Sequence, residues 1–307
     1  MQKKFKLANG HLVETQDDDA CIICYVAPDD AEKRHLVEDL CIDQHTLASA
    51  LDPDELSRLE FEPDHAALIM KRPRNYCAKD QFMFRVTSMG LFLFQDRLIV
   101  VAAEDDTVFA GKPFVAVQTP LDVVLRLLYR HIFHFLEHLR VINMVTDELE
   151  DKINASMENR FLINLFTLEK SLVYYLNAIH TNSVLISKIR MNASKLGLGA
   201  EQMEFLDDIG VENDQCYRLA EIYSNVLSGL MDARVSIVSN NLNLIMKTLT
   251  IITIGIMAPT FVVSAFSMNV LLPFFEHDNP WAWWAIMALS FASGAGVLLF
   301  YRFKKFF

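Results

Sequence analysis

The sequence predicts an α+β membrane protein, in which an N-terminal α/β domain is followed by long helices and a two-helix transmembrane region. Of the 307 residues, 52% are hydrophobic, and the mean hydropathy is positive at +0.21. Short apolar runs alternate with polar stretches up to residue 118, whereas helical periodicity dominates from Pro120 onward. Two uncharged apolar runs, 248–267 and 281–301, are each long enough to cross a bilayer.

The N-terminal part has the pattern of a mixed α/β domain. Apolar runs predict strands, which we place at 21–26, 66–70, 81–86, 90–94 and 98–102. Helices are predicted at 29–40, beginning at an Asp cap after Pro28, and at 46–50. We find no glycine-rich phosphate loop, nucleophile elbow or zinc-protease motif, so nothing in the sequence supports an enzyme.

Charge and cysteine content restrict the partners and the compartment. The net charge is −11, and nearly all charged residues precede residue 248. Such an acidic soluble part lacks the basic footprint of a nucleic-acid-binding protein. It suits cations, and it is equally compatible with ordinary solubilising charge. The five scattered cysteines fit a reducing cytosol, and the lone pair Cys21 and Cys24 would point to opposite faces of a strand.

Long helices are predicted between the α/β domain and the membrane. Residues 121–191 contain neither proline nor glycine, and the two glycines within 195–200 break the pattern. His131, His134 and His138 are spaced so that they share one helix face. Three imidazoles in this arrangement could bind one zinc ion, although a helix face without a ligand is the more common case.

The charges flanking the two apolar runs predict their orientation. Lys247 precedes the first run, three basic residues follow the second, and the loop 268–280 between them contains no Lys or Arg. The positive-inside rule therefore places both termini in the cytoplasm and the loop outside. Three tryptophans at the start of the second run have the position of an interfacial aromatic belt.

A polar stripe follows the first membrane segment and the helix before it. From residue 213 to residue 267 only Pro259 could interrupt a helix, which would be roughly 80 Å long. Residues at alternating spacings of four and three form the stripe: Asp232, Ser236, Ser239, Asn243, Met246, Thr250, Thr253, Met257, Thr260, Ser264 and Ser267. Such a repeat keeps one stripe on one side of a helix.

The stripe has two interpretations. Ser and Thr can pack membrane helices closely against each other. A polar stripe in lipid can also face water, and its continuation beyond the membrane segment favours a water-filled pore. Two membrane helices cannot enclose a pore, so several copies would surround it in a closed symmetric homo-oligomer.

These features divide the chain into seven segments. They are a cytosolic α/β domain (1–118), a helical bundle (119–212), the cytosolic stalk part of the pore helix (213–247), the first transmembrane helix, which lines the pore (248–267), an extracytoplasmic loop (268–280), the second transmembrane helix (281–301) and a basic cytosolic tail (302–307).

The run LTIITIGIMAPTFVVSAFSMN (249–269) resembles the pore helix and signature of CorA-type divalent cation channels. That signature normally reads Gly-Met-Asn after an aromatic residue, and here it reads Ser267-Met268-Asn269 after Phe266. The resemblance extends to MDARVSIVSNNLNLIMKTLT (231–250) and, more weakly, to IDQHTLASALDPDELSRLEFEPDHAALIM (42–70). It therefore covers nearly the whole chain.

The resemblance implies a homopentamer in the inner (plasma) membrane that transports a divalent cation, with Mg²⁺ favoured and Co²⁺ or Ni²⁺ as alternatives, and with no organic cofactor. It implies that Asn269 forms an outer ring that meets the hydrated ion. It implies a pore lining of Asp232, Asn243, Met246, Leu249, Met257, Thr260 and Ser264. Among these residues, Met246, Leu249 and Met257 would form a hydrophobic constriction.

The resemblance also implies regulation by a cytosolic divalent cation, bound at Asp208 with Glu212 one turn further on. In the outer loop, Glu276 and Asp278 would raise the local cation concentration, unless they are simply solvated. Ser267 adds a Cβ and a hydroxyl where glycine is usual, which could narrow the mouth or alter selectivity. Two alternatives stay open: a ZntB-like Zn²⁺ transporter and a non-conducting membrane-anchored scaffold or sensor.

Overall fold

The structure is a computed structural model that describes residues 1–8, 10–17, 20–77, 80–105, 109, 114–155, 159–268 and 281–303. The chain divides into two compact units, Met1–Met231 and Asp232–Phe307. The strands are β1 (Gln2–Ala8), β2 (His11–Thr15), β3 (Ile22–Val26), β4 (Arg58–Phe61), β5 (Ala66–Pro73), β6 (Val86–Leu93) and β7 (Leu98–Ala102). The helices are α1 (Asp30–Glu38), α2 (Gln44–Leu51), α3 (Pro120–Ala155), α4 (Asn159–Met191), α5 (Ala193–Leu196), α6 (Ala200–Phe266) and α7 (Trp281–Phe303).

The first unit is built on a seven-stranded sheet with the order β2-β1-β3-β7-β6-β5-β4. Strands β3 and β7 are parallel, and the other neighbouring pairs are antiparallel. Alternate residues of β7 enter different cores, because successive side chains of a strand point to opposite faces. Leu98 and Val100 pack on the side that includes α3 and α4, whereas Ile99 and Val101 pack on the side of α1 and α2.

Glycine is required where α2 crosses the sheet. A Cβ added at Gly90 of β6 would lie only 2.5 Å from the Cβ of Ala50 in α2. The two elements therefore approach as closely as a glycine in the strand and an alanine in the helix allow. This close contact places α2 flat on the sheet, beside the buried side chains of Leu47 and Phe92.

The start of α1 confirms the cap that the sequence predicts. The Asp29 carboxylate accepts hydrogen bonds from the backbone N–H groups of Ala31, at 2.9 Å, and Glu32, at 2.8 Å. In return, the Asp29 N–H donates to the Glu32 carboxylate at 3.0 Å. This reciprocal pair is a capping box, and it explains why the helix begins directly after Asp29.

The strand predicted at 81–86 is wrong. Gln81 and Phe82 have φ angles of 46° and 68°, which interrupt an extended chain. The Phe84 N–H donates to the Ser171 hydroxyl of α4 at 3.0 Å, so a backbone group expected in a sheet ladder bonds to a helix. The run 90–94, predicted as a strand of its own, belongs mostly to the longer strand β6, which begins at Val86.

Helix α6 begins at Ala200, well before the predicted start at residue 213. Its first turn is capped by Gln202, whose side-chain oxygen accepts from the Gly199 N–H at 2.9 Å. The same side chain donates to the Asp122 carboxylate of α3 at 2.6 Å. Asn213 is a buried packing residue in mid-helix, and its amide donates to the Ile179 carbonyl of α4 at 3.2 Å.

Candidate ion pathway

The second unit consists of the C-terminal part of α6 together with α7. Both helices are long and apolar enough to cross a membrane. The most apolar stretches of the two helices are 0% and 11% buried, respectively, so neither has the buried surroundings of a core helix in a soluble protein. These apolar surfaces need lipid or other copies of the chain to cover them.

One face of α6 packs on α7. A Cβ added at Gly294 of α7 would lie 3.0 Å from the Pro259 ring, and the Ser290 hydroxyl donates to the Pro259 carbonyl at 3.4 Å. The half-buried residues of α6 in the membrane segment share the face that contains Pro259: Ile251, Gly255, Ala258, Pro259, Val262 and Phe266. The packing of the two helices thus depends on small residues of α7 that let the backbones approach.

The polar stripe occupies the opposite face of α6. Its members between Asp232 and Ser267 are all exposed in the single chain. Thr253 and Met257 are each two residues from Gly255, which is a rotation of about 200° around an α-helix. The stripe therefore points away from α7 and towards whatever lies on the other side of α6.

The hydroxyl groups of the stripe donate their protons to the helix backbone. Thr250, Thr253 and Thr260 each donate at 2.8 Å to the carbonyl oxygen four residues earlier. Ser267 donates to the Ser264 carbonyl at 2.9 Å. A hydroxyl has a single proton, so these oxygens can only accept hydrogen bonds from a group that approaches them. The stripe presents acceptor oxygens, which suit the waters around a cation.

Apolar members interrupt this polar face. Met246 and Met257 are 60% and 63% exposed, and Leu249, three residues after Met246, is 56% exposed. The charged end of the stripe is Asp232, which is also exposed. Asn243 lies between Asp232 and Met246, Ser264 follows Met257, and both are exposed as well. One face of a single helix thus combines a carboxylate, hydroxyls and an apolar segment.

The predicted signature is only partly within the described residues. Ser267 and Met268 are exposed directly after the end of α6. Asn269 lies outside the described residues, as do Glu276 and Asp278 of the predicted outer loop. Their roles stay predictions from the sequence.

Asp208 and Glu212 lie on the part of α6 that belongs to the first unit. The neighbouring Asp207 forms an ion pair with Arg190 of α4, with 3.3 Å between Nε and Oδ1. Asp208 is exposed, and the described part of the chain gives it no ion-pair partner, whereas Glu212 is half-buried. Arg190 therefore neutralises the Asp207 carboxylate, and Asp208 is an exposed carboxylate on the same turn.

Two of the three histidines of α3, His131 and His138, are buried in the core, and His134 is half-buried beside them. His131 is fully buried, and the ring of His138 lies 2.6 Å from the Tyr175 hydroxyl of α4. Burial, together with the positive charges of Arg72 and Arg130, lowers the pKa of His134 to about 4. Among the described residues, no three His, Cys, Asp or Glu side chains could hold a metal ion. The zinc interpretation of this histidine face is therefore wrong.

The helix contact at Pro259 was not predicted. The sequence contains only a partial signal for it: Ser290 and Gly294 are small residues four apart, but the whole run 292–296 of α7 is small as well. Small residues at this spacing mark the side of a membrane helix that approaches another helix. Because small residues occur on several sides of α7, the structure and not the sequence identifies the side that meets Pro259.

The comparisons with known proteins agree with this architecture. The family described as CorA-like Mg²⁺ transporter protein matches residues 17–305. The cobalt/magnesium transport protein CorA of Methanocaldococcus jannaschii is 26% identical over 279 residues, which are 87% of this chain and 85% of that protein.

Solved structures share the fold. The complete structure of the CorA magnesium transporter from M. jannaschii superposes with a TM-score of 0.81 and 21% identity, covering 98% of this chain and 96% of that one. The ZntB cytoplasmic domain from Vibrio parahaemolyticus gives a TM-score of 0.55 and 12% identity, covering 75% and 95% of the two chains. The fold class predicted from the sequence is confirmed. With nearly its whole length matched, this chain belongs to the CorA-like Mg²⁺ transporter family.

Proposed function

We propose that five copies of this chain form a channel for divalent cations, with Mg²⁺ as the main substrate and Co²⁺ and Ni²⁺ as further ions. The observation that carries this proposal is the position of the polar stripe on the face of α6 that points away from α7. A carboxylate, amides and hydroxyls would be poorly placed against lipid tails. A symmetric ring of copies gives all these groups a shared aqueous space.

The chemistry of the stripe suits a cation that keeps its water. Mg²⁺ loses its water shell reluctantly, so a pore can select it through the hydrated ion. The waters of a hydrated cation point their protons outward, and the Thr250, Thr253 and Thr260 oxygens can accept them because their own protons are engaged. A ring of Asn269 amide oxygens would offer the same kind of acceptor at the outer mouth.

Apolar residues on and beside the stripe supply a gate. Rings of Met246, Leu249 and Met257 side chains form a constriction that empties of water when it narrows. A hydrated divalent cation cannot pass a dry segment, since its dehydration is too costly. Small movements of the five helices then switch the pore between closed and open states.

Regulation is assigned to Asp208 and Glu212. Mg²⁺ prefers carboxylate oxygens, and Asp208 offers an exposed carboxylate without an ion-pair partner among the described residues. Because the described residues of one subunit gather too few of these groups for a complete site, the remaining ligands would come from a neighbouring copy or from water. High cytosolic Mg²⁺ would link the subunits and stabilise the closed state, since an ion shifts a population towards the state it binds better.

The proposed location is the inner membrane, which α6 and α7 are long and apolar enough to cross. Lys247 and the basic residues after α7 assign both chain ends to the cytoplasm, and the loop between the helices to the outside. A cation that enters is then driven by the membrane potential, which contributes about 2.3 kcal/mol per charge at 100 mV. No second transported ion is required.

Zinc transport is the second candidate, favoured by Ser267 in place of the usual glycine of the signature. Zn²⁺ prefers imidazole and thiolate ligands, and the stripe contains neither His nor Cys. This composition is the reason that we rank Mg²⁺ first.

A flux assay in proteoliposomes tests both functions. Mg²⁺, Zn²⁺, Ni²⁺ and Co²⁺ are offered separately to the wild type and to Ser267→Gly, with empty liposomes as the control. We expect Mg²⁺ flux in both proteins and a shift towards Mg²⁺ in the variant. Flux of Zn²⁺ without Mg²⁺ would favour the second candidate, and the absence of all four fluxes would indicate a scaffold or sensor.

A further inference from the structure

A cavity lies beside the polar stripe in the second unit. Its volume is about 430 Å³, within the range of roughly 300–1,000 Å³ that is typical of small-molecule sites. Residues of α6 and one residue of α7 line it: Asn240, Asn243, Met246, Lys247, Thr250, Ile251 and Tyr301. Asn243, Met246 and Thr250 belong to the stripe, and Asn240, Lys247 and Tyr301 are the other polar side chains of the lining.

The polar lining has the chemistry of a phosphate site. Lys247 brings an ammonium group, Asn240 an amide and Tyr301 a phenol, all of which can donate hydrogen bonds. No lining residue carries a carboxylate, so nothing in the lining offsets the positive charge of Lys247. Bonds from an ammonium group to phosphate oxygens are charge-assisted and therefore stronger than neutral ones. The side chains of Met246 and Ile251 add apolar surface to the same cavity.

The position of the cavity in the sequence points to a lipid as the ligand. Lys247 is the last charged residue before the apolar run of α6, and Tyr301 precedes Arg302 at the end of the apolar run of α7. Lys, Arg and Tyr at the ends of membrane helices lie at the level of the lipid headgroups. The cavity thus opens where phosphates are concentrated, and the positive-inside rule assigns that level to the cytoplasmic leaflet.

We propose that this cavity binds an anionic glycerophospholipid of the cytoplasmic leaflet. Lys247, Asn240 and Tyr301 hold the phosphate, and the start of an acyl chain lies along Ile251. A lipid in this position contacts the flank of α6 next to Asn243 and Thr250 and can therefore influence the helix that carries the stripe. The site goes beyond ion transport, because it requires only that the two helices span a membrane.

Native mass spectrometry of the purified full-length oligomer tests the proposal. The protein is equilibrated with phosphatidylglycerol or with phosphatidylcholine, and the lipids retained per oligomer are counted. We expect the wild type to retain phosphatidylglycerol in preference to phosphatidylcholine. Lys247→Gln should lower that preference about fivefold, the effect expected of one basic residue at an anionic membrane surface. Lys170→Gln, which removes an exposed charge from α4 in the first unit, should leave it unchanged.

A second variant and a competition experiment with inorganic phosphate complete the test. Tyr301→Phe removes a single oxygen and should also reduce the retention of phosphatidylglycerol. This variant tests the proposal even if Lys247→Gln does not assemble. Millimolar inorganic phosphate should not displace the lipid, and displacement would assign the cavity to free phosphate and overturn the proposal. Equal retention of phosphatidylglycerol by the wild type, Lys247→Gln and Tyr301→Phe would overturn it as well.

Discussion

At the scale of single residues, the hydroxyl groups of α6 are the most informative feature. A threonine in a membrane helix can satisfy its own proton through the backbone, so its presence does not by itself indicate water. Thr248 illustrates this, because it donates to the Leu244 carbonyl at 2.9 Å although it lies outside the stripe. Position on the helix therefore decides whether such an oxygen contributes to transport.

This difference gives a matched pair of substitutions. Thr260→Val replaces a stripe hydroxyl by a methyl group of similar size, and Thr248→Val makes the same change off the stripe. We expect Thr260→Val to reduce Mg²⁺ flux in proteoliposomes about tenfold, since a ring of acceptors for the hydrated ion is lost. Thr248→Val should retain flux near the wild-type rate. Equal effects of the two changes would mean that the stripe has no special role.

At the scale of helices and strands, long periodic helices and apolar strands such as β3 and β7 were predictable, whereas strands without an apolar run were not. The two long helices of the predicted bundle are confirmed as α3 and α4 because their apolar periodicity has no interruption. Strands β1 and β4 were not predicted: β1 is rich in lysine, and β4 has four residues. Strand β1 is defined by pairing with residues further along the chain, such as Phe5 opposite Ile22, and β4 by pairing with the following strand β5. The local sequence of either strand does not reveal this pairing.

The candidate site, too, was only partly predictable from the sequence. The stripe on α6 was predictable from spacing alone, because a helix converts a repeat of four and three into one face. The direction of the stripe relative to α7 was not predictable, since it depends on the contact between Pro259 and Gly294. The start of α6 was also predicted wrongly. Asn is a common residue at a helix N-terminus, but Asn213 is a buried residue in the middle of α6.

The contact between α6 and α7 makes a prediction at this scale. In Gly294→Ala, the new Cβ would lie 3.0 Å from the Pro259 ring, so the helices must separate slightly. We expect the thermal midpoint of the detergent-solubilised oligomer to fall by several degrees. Gly296→Ala is the control, since a Cβ there meets no atom within 4 Å. Unchanged stability in Gly294→Ala, or an equal loss in both variants, would contradict the described packing.

At the scale of the whole molecule, the proposed regulation requires contacts between copies. Asp208→Ala removes the proposed ligand of the regulatory ion, so Mg²⁺ should protect the soluble part from protease less well, and flux should rise at high internal Mg²⁺. Asp214→Ala removes another exposed carboxylate of α6 and serves as the control. If Asp208→Ala keeps the Mg²⁺ dependence of the wild type in both assays, the regulatory site lies elsewhere.

The central claim is that the stripe faces water in the assembled protein, and cysteine accessibility tests it most directly. Single cysteines are placed along α6 in a background that lacks the exposed Cys41 and Cys77, and reconstituted protein is treated with a charged, membrane-impermeant thiol reagent. We predict modification at the stripe positions Thr253→Cys, Thr260→Cys and Ser264→Cys, and protection at the neighbouring positions Ile254→Cys and Phe261→Cys. Protection at all five positions would contradict a water-filled pore and identify the stripe as a dry contact between helices.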